Sequence, residues 1–238
     1  MNKRFIDTKQ QVVVKILTSE ERAQKEISGA KAFAKFTLVP EVVKLDRKTI
    51  LIGLVKGIPA DKVKRDFLNA LVVELVRCIF KNSKTSLSEF PNIYSEINIL
   101  REIFENNKVF LQALLEIEKS ISGSSLFPVH GDLQKQNVFI QKGKMVLIDF
   151  EHFVFAPLEL EIVNSLFFKD YNCMDVDFII SKLVEDKIFS PVVLKNMLIF
   201  YALRQMAEGR KKKDCEKRLQ DGLKRLRKIL GTKTHVLI

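Results

Sequence analysis

The pattern of apolar and polar residues predicts a strand-rich beginning to this chain. β-Branched residues dominate the segment 12–17, which is typical of a strand. Two further strands are predicted at 36–44 and 48–55, joined by a turn near Asp46. The glycine and proline residues at positions 57–59 interrupt the pattern and end this part of the chain.

Helical periodicity marks the segment after the first strand and most of the chain beyond Pro59. Thr18 and Glu21 have the spacing of a capping box, and apolar residues recur at helical intervals after them. Later helices show broad apolar faces, and the last carries four leucines opposite its lysines and arginines. The pattern predicts an α+β fold with a small β-rich N-terminal lobe and a larger, mainly helical C-terminal lobe.

A short β-hairpin is predicted inside the helical part. The apolar runs 138–140 and 145–148 are separated by a turn that contains Gly143. If Ile140 lies opposite Met145, the residues that flank the two runs meet at the open end of the hairpin.

Polar residues with the chemistry of a metal site flank these two runs. Asn137 and Asp149 are expected roughly 5–8 Å apart, and their oxygens can bind a hard cation such as Mg²⁺. Asp132 precedes them on the loop that enters the hairpin. Asp and Asn are also common at hairpin ends for structural reasons, and a lone histidine such as His130 more often packs in a loop than takes part in catalysis. The combination of all four in one stretch favours a functional site.

Residues 129–151 resemble the catalytic and metal-binding loops of the aminoglycoside phosphotransferase and choline kinase type of enzymes, which are relatives of the protein kinases. The resemblance implies a protein-kinase-like fold and phosphorylation of a hydroxyl on a small molecule, with ATP and Mg²⁺ as cofactors. The acceptor could be an aminoglycoside, a choline-like compound or a sugar. It also implies that Asp132 accepts or orients the hydroxyl proton, His130 braces the catalytic loop, and Asn137 and Asp149 hold Mg²⁺ on the phosphates.

The same resemblance implies nucleotide-binding residues in the N-terminal lobe. Lys15 on the first predicted strand would contact the phosphates, oriented by Glu26 on the following helix. In the alternative interpretation both side chains point to solvent. A hinge is expected near Gly57, dividing the chain into a shortened nucleotide-binding lobe, 1–57, and a catalytic and substrate lobe, 58–238.

The chain departs from the family pattern in three places. Only eleven residues precede Val12 and none is glycine, so the loop that covers the nucleotide phosphates is expected to be shortened or absent. This departure keeps a non-catalytic, kinase-like nucleotide-binding module open as an alternative function. Gln134 stands where protein kinases carry a lysine, which makes a small-molecule acceptor more fitting than a protein. Glu159 and Glu161 stand near the usual position of a helix-opening Asp, and we interpret them as structural.

Composition and charge add constraints on compartment and partners. The 238 residues are 47% hydrophobic and 29% charged, which excludes a disordered chain. No apolar run is long enough for a membrane span, no secretory leader is predicted, and three scattered cysteines fit a reducing cytoplasm. The net charge of +11 is concentrated at 204–233, where twelve Lys and Arg face four Asp and Glu.

This basic segment has two interpretations. It is most simply a solvated helix face, or it makes peripheral contact with an anionic membrane. A basic nucleic-acid-binding protein is the weaker alternative, because no zinc finger, RNA-binding aromatic motif or helix-turn-helix spacing is present. No specific nucleic acid is therefore expected as a partner.

Overall fold

The computed structural model describes residues 3–82, 91–168 and 174–231. The first part is a four-stranded antiparallel sheet, in the order β1-β2-β4-β3, with one helix packed against it. Leu17, Ile27 and Ile50 belong to the small apolar cluster between the helix and the sheet. The elements are β1 (Lys3–Asp7), β2 (Val12–Ile16), α1 (Glu20–Phe33), β3 (Val42–Lys44) and β4 (Thr49–Gly53).

The rest of the chain is mainly helical and surrounds the larger apolar core. This part also contains two small sheets, ordered β5-β7-β8 and β6-β9. The elements are β5 (Ile58–Pro59), a 3₁₀ helix (Ala60–Lys62), α2 (Arg65–Asn82), α3 (Ile93–Ile103), α4 (Lys108–Ile121), β6 (Phe127–Val129), β7 (Val138–Gln141), β8 (Lys144–Leu147), β9 (Val154–Ala156), α5 (Leu160–Phe167), α6 (Val176–Glu185), α7 (Pro191–Ala207) and α8 (Lys212–Leu230). The predicted α+β arrangement, a small β-rich lobe followed by a helical one, is confirmed. The division at residues 57 and 58 stays a prediction.

The β7–β8 hairpin has the predicted register. Ile140 pairs with Met145, and the Ile148 N–H donates to the Asn137 carbonyl at 3.1 Å, one step beyond the ladder. Lys142 and Gly143 in the turn both have left-handed backbone angles, φ 51° and 76°, as a two-residue hairpin turn requires. The hairpin therefore brings the segment before β7 beside the segment after β8.

Two predictions for the first part are wrong in detail. The cap of α1 is Ser19 rather than Thr18, because Ser19 has the extended backbone from which its hydroxyl accepts the Arg22 N–H. Residues 36–41 are not a strand. Their backbone is used elsewhere, since Leu38 donates to the Met145 carbonyl at 3.2 Å and fastens the first part of the chain to β8.

Gly29 allows α1 to approach the segment that follows β8. A Cβ atom at Gly29 would lie 2.6 Å from the Phe150 Cβ, closer than two carbon atoms can pack. The Phe150 ring lies against Phe33 of the same helix, with centroids 5.5 Å apart. This close approach holds α1 against the segment that carries Asp149.

The last helix, α8, is amphipathic as predicted. It buries Cys215, Leu223 and Leu226 and leaves its Lys and Arg side exposed. Among the described helices, none combines the length and the apolar character needed to cross a membrane. Contact of the basic side with an anionic membrane stays a prediction. The loop predicted from Asn82 onward and the interruption predicted near 170 lie largely outside the described residues.

Candidate active site

One buried cluster joins β2, α1 and the segment after β8. Lys15 Nζ lies 3.2 Å from Glu26 Oε2 and 2.6 Å from Asp149 Oδ1. The side chain of Lys15 is 2% exposed and that of Glu26 is 1% exposed, so both are buried. The interpretation in which these two side chains point to solvent is therefore wrong. A buried charge needs such partners, because desolvation would otherwise neutralise it.

The electrostatics of this cluster keep Lys15 and Asp149 charged. Burial alone would lower the pKa of Lys15, but the carboxylates of Glu26 and Asp149 outweigh it and raise that pKa. Burial would likewise raise the pKa of Asp149, yet Lys15 and Arg4 together lower it. Burial raises the pKa of Glu26 to about 7, against the opposing effect of Lys15. Lys15 and Asp149 thus form the principal ion pair, and Glu26 orients the lysine.

Asp149 has a strained backbone. Its φ of 68° lies in the left-handed region, which costs a non-glycine residue on the order of 1–3 kcal/mol. The next residue is held firmly, because the Phe150 ring packs between Phe33 and His130 at centroid distances of 5.5 and 4.7 Å. Packing thus maintains a conformation that aims the Asp149 carboxylate back toward β1 and β2. Strain of this kind is concentrated at functional sites.

A second cluster surrounds Asp132 on the loop between β6 and β7. Its Oδ2 accepts from Gln134 Nε2 at 2.7 Å and Asn137 Nδ2 at 2.8 Å, and its Oδ1 accepts from Asn164 Nδ2. Burial nevertheless raises the pKa of Asp132 to about 6, since the three amides only partly replace water. A carboxylate held in this way has a fixed direction and moderate basicity, which suit it to accept a proton.

His130 connects the two clusters. Its Nε2 donates to the Ile148 carbonyl at 2.9 Å, and its Nδ1 accepts the Asp132 backbone N–H at 3.3 Å. Burial lowers the pKa of His130 to about 4, so the ring is neutral and this hydrogen-bond pattern defines its tautomer. Gly131 allows the turn here, because its φ is 78° and a Cβ would lie 2.8 Å from the His152 carbonyl oxygen. His130 thus links the Asp132 loop to the end of β8, and its bracing role stays a prediction.

Glu161, near the start of α5, supports the same loop. Its Oε2 accepts the His130 backbone N–H at 2.6 Å, whereas its Oε1 is buried with no hydrogen-bond partner among the described residues. Burial raises the pKa of Glu161 to about 8, so the side chain is largely protonated at neutral pH. Glu159 is also buried and accepts the Ser190 N–H at 2.7 Å.

The raised pKa of Glu161 predicts a dependence of stability on pH. A carboxyl group with a pKa of 4.5 unfolded and about 8 folded stabilises the protein fully below pH 4.5, and this contribution is lost as the pH rises through 8. Glu161→Gln mimics the protonated form at every pH. We therefore expect the variant to gain stability relative to wild type between pH 5.5 and 8, by up to about 1.4 kcal/mol per pH unit.

Urea unfolding at several pH values measures this difference. Glu102→Gln, on the exposed side of α3, controls for the loss of a surface carboxyl group. Parallel stability curves for wild type and Glu161→Gln would show instead that Glu161 is ionised in the folded protein.

The side-chain oxygens of Asn137 and Asp149 suit Mg²⁺ in a nucleotide complex. Both N–H groups of the Asn137 side chain donate hydrogen bonds to Asp132. No hydrogen-bond donor of the described residues contacts the side-chain oxygen of Asn137. Asp149 supplies an ionised carboxylate. The described residues contain no cluster of three or more His, Cys, Asp or Glu for a metal. Such a cluster is not required, because Mg²⁺ is commonly bound by one or two protein oxygens together with phosphates and water.

Each of the two clusters borders a cavity of its own. A cavity of about 250 Å³ has Lys15, Glu26 and Asp149 at its polar end, and a polar cavity of about 270 Å³ has Asp132 in its wall. A larger cavity of about 490 Å³ lies near Phe80, and none of the six predicted site residues lines it. The two smaller cavities form the candidate site, because the ionisable groups of the two clusters line them.

The structure thus brings together all six predicted site residues, in two clusters linked by His130. Sequence reasoning missed Arg4, which contacts Asp149, and Asn164, which contacts Asp132. Asn164 did leave a signal, since it lies three residues after Glu161 in a helix that is otherwise largely apolar. The roles of all these residues in binding and catalysis stay predictions.

Comparisons with known proteins identify the fold. No family model matches the chain, and no curated protein matches its sequence. Among solved structures, the gentamicin complex of APH(2")-IIa is 17% identical with a TM-score of 0.59, over 94% of this chain and 87% of that chain. Aminoglycoside phosphotransferase APH(4)-Ia in ternary complex with AMP-PNP and hygromycin B is 14% identical with a TM-score of 0.64, over 97% and 90%. ADP-bound aminoglycoside phosphotransferase APH(2'')-Ib is 14% identical with a TM-score of 0.59, over 95% and 92%. This chain therefore has the kinase-like fold of the aminoglycoside phosphotransferases, as the resemblance of residues 129–151 predicts.

Proposed function

We propose that this protein is a phosphotransferase that uses ATP and Mg²⁺ to phosphorylate a hydroxyl group of a small molecule. The observation that carries the proposal is the arrangement of Asp132 and Asp149. Each carboxylate is held by polar partners at the edge of its own cavity, and one histidine joins the two segments. The similarity to aminoglycoside phosphotransferases over nearly the whole chain supports this assignment.

The reaction depends on positioning and charge more than on covalent chemistry by the protein. Lys15, oriented by Glu26, neutralises charge on the nucleotide phosphates. Asn137 and Asp149 are the residues that would hold Mg²⁺, which supplies further charge neutralisation when bound. Asp132 orients the acceptor hydroxyl and accepts its proton. His130 holds the Asp132 loop beside the segment that carries Asp149.

The cavity beside Asp132 is the proposed acceptor pocket. Amide and hydroxyl groups line it, and they suit an acceptor with several hydroxyls. Arg210 reaches it from the loop before α8, and Arg218 lies close by on that helix. Beside Asp132, the lining of this pocket includes Gln134, Asn164, Tyr201, Gln205, Glu208 and Arg210.

Charge in this region favours an acceptor that carries an anionic group. The guanidinium groups of Arg210 and Arg218 lie 4.5 and 5.0 Å from the centroid of the Phe168 ring. Neither lies within ion-pair distance of a carboxylate of the described residues, and Glu208, which also lines the cavity, is paired with Arg204 instead. Two guanidinium groups that lie on the Phe168 ring and are not paired with a carboxylate repel a polycationic aminoglycoside and attract a phosphate or carboxylate. A phosphorylated or acidic sugar therefore fits the pocket better than an aminoglycoside.

ATP consumption with matched acceptors tests both levels of the proposal. The panel contains neutral sugars, their phosphates, uronic acids and aminoglycosides. We expect Mg²⁺-dependent turnover with an anionic sugar, and in Arg210→Ala we expect its KM to rise about tenfold while the KM of ATP stays unchanged. Lys213→Ala, which removes an exposed charge at the start of α8, is the matched control.

The outcomes separate the alternatives. If the protein phosphorylates aminoglycosides and Arg210→Ala leaves that turnover unchanged, the proposal of an anionic acceptor is contradicted. The proposal of phosphotransferase activity then still stands. Tight Mg²⁺-nucleotide binding with no turnover of any acceptor would favour the non-catalytic, kinase-like module.

A further inference from the structure

Arg4 on β1 lies directly opposite Lys15 on β2 in the antiparallel ladder. Directly opposite residues of such a pair project from the same face of the sheet, so both side chains point into the same cleft. Arg4 Nη2 lies 2.5 Å from Asp149 Oδ2, while Lys15 Nζ lies 2.6 Å from Oδ1. The two oxygens of Asp149 are thus each paired with a different cation.

The two cations differ in exposure. The Lys15 side chain is 2% exposed, but the Arg4 side chain is 55% exposed. Arg4 reaches Asp149 from the rim of the cleft and can turn toward a ligand with little loss of packing. An ion pair with an exposed partner adds little to stability, so the Arg4–Asp149 contact is readily exchanged.

The cavity that contains Arg4 has two chemically different ends. Its polar end holds Arg4, Lys15, Glu26 and Asp149. The remaining walls are largely apolar and would suit a flat aromatic base. They include Ile6, Val13, Ile52, Leu54, Phe139 and Ile148. In a nucleotide seated with its base on the apolar walls, the phosphates reach the end where Arg4 lies.

Two backbone N–H groups of the turn between β1 and β2 are already used within the protein and are not free to bind a phosphate in place of Arg4. Glycine-rich loops bind phosphates through free backbone N–H groups. In this turn the N–H groups of Lys9 and Gln10 both donate to Asp7 Oδ1, at 2.9 and 3.0 Å. The Gln11 carbonyl accepts the Leu54 N–H at 2.8 Å, which fixes the far side of the turn to the end of β4. These backbone groups are already used within the protein.

We propose that Arg4 is a phosphate-binding residue, which pairs with Asp149 in the free protein and with the nucleotide phosphates in the complex. The inference rests on the proposed nucleotide-dependent function. It assigns to one side chain the charge neutralisation that a phosphate-covering loop otherwise provides. A guanidinium can bind a phosphate through two hydrogen bonds at once, and such charge-assisted bonds are stronger than its exposed contact with Asp149.

Calorimetry on the full chain tests this assignment with Arg4→Gln, Arg4→Lys and Lys3→Ala. Lys3 lies on the same strand one residue before Arg4, so its side chain projects from the opposite face. Lys3→Ala removes the same charge as Arg4→Gln and is the matched control. We expect Arg4→Gln to weaken binding of Mg²⁺-ATP and Mg²⁺-ADP by about 10- to 100-fold, with Arg4→Lys intermediate. Binding of adenosine, which has no phosphate, is expected to stay unchanged in all three variants.

A second measurement moves in the opposite direction. Mn²⁺ binding without nucleotide, followed by its paramagnetic resonance signal, is expected to be tighter in Arg4→Gln, because the cation that competes for Asp149 is gone. Wild-type affinity of Arg4→Gln for Mg²⁺-ATP would overturn the inference and leave the proposed function standing. Equal weakening of adenosine and ATP would show a structural role for Arg4 and also overturn it. Failure of the wild-type protein to bind any of the nucleotides would overturn both.

Discussion

Asp132→Asn is expected to reduce the rate of phosphoryl transfer by about 10²- to 10⁴-fold, the range in which a positioned general base contributes. Asparagine keeps the shape of the side chain but cannot accept the hydroxyl proton. Its oxygen can still accept from Gln134 and Asn137, and Asn164 can rotate its own amide to accept the new N–H group. This variant therefore retains the hydrogen bonds that alanine would break.

Three measurements isolate the effect of Asp132→Asn on the chemical step. We expect kcat to fall, while the affinity for Mg²⁺-ATP and the free energy of unfolding stay close to those of wild type. Asp61→Asn, which removes an exposed carboxylate from the 3₁₀ helix, should leave all three unchanged. Unchanged kcat in Asp132→Asn, or parallel losses of folding and nucleotide binding, would contradict the assigned role.

Asp149→Asn is expected to remove the dependence of nucleotide binding on Mg²⁺. Loss of the ionised carboxylate should lower the Mg²⁺-dependent affinity by about 100-fold or more, since even outer-shell changes at metal sites cost 10- to 100-fold. Asparagine accepts the left-handed backbone that position 149 requires, whereas alanine would be strained there. Glu26 remains beside Lys15, which keeps the buried lysine paired.

The same variant makes a second, opposite prediction for ATP without metal. Lys15 and Arg4 both lose a carboxylate partner in Asp149→Asn, so metal-free ATP is expected to bind at least as tightly as it does to wild type. Glu151→Gln is the matched control, because that carboxylate lies 3.8 Å from Lys15 but is not assigned to the metal. Titrations with and without Mg²⁺ measure both effects. A Mg²⁺ dependence equal to that of wild type would remove Asp149 from the metal site.

Features that depend on neighbours along the chain were predictable from the sequence. The register of the β7–β8 hairpin follows from two apolar runs and a glycine-containing turn, and Ile140 pairs with Met145 as expected. The contact between Lys15 and Glu26 was implied by the family resemblance, and it joins a strand and a helix that are separated by a short loop. Side-chain periodicity and turn chemistry act over a few residues, so one sequence suffices to read them.

Contacts between distant parts of the chain were decided only by the tertiary structure. Arg4 meets Asp149 across 145 residues, and Asn164 meets Asp132 across 32. No local pattern encodes either contact, because each depends on how the sheet, α1 and α5 pack together. The missing side chain of Gly29 is part of that packing, since it allows α1 to reach Phe150. The sequence by itself thus determined which residues could carry phosphoryl chemistry, whereas packing across the cleft decided which cations and amides hold the two carboxylates in place.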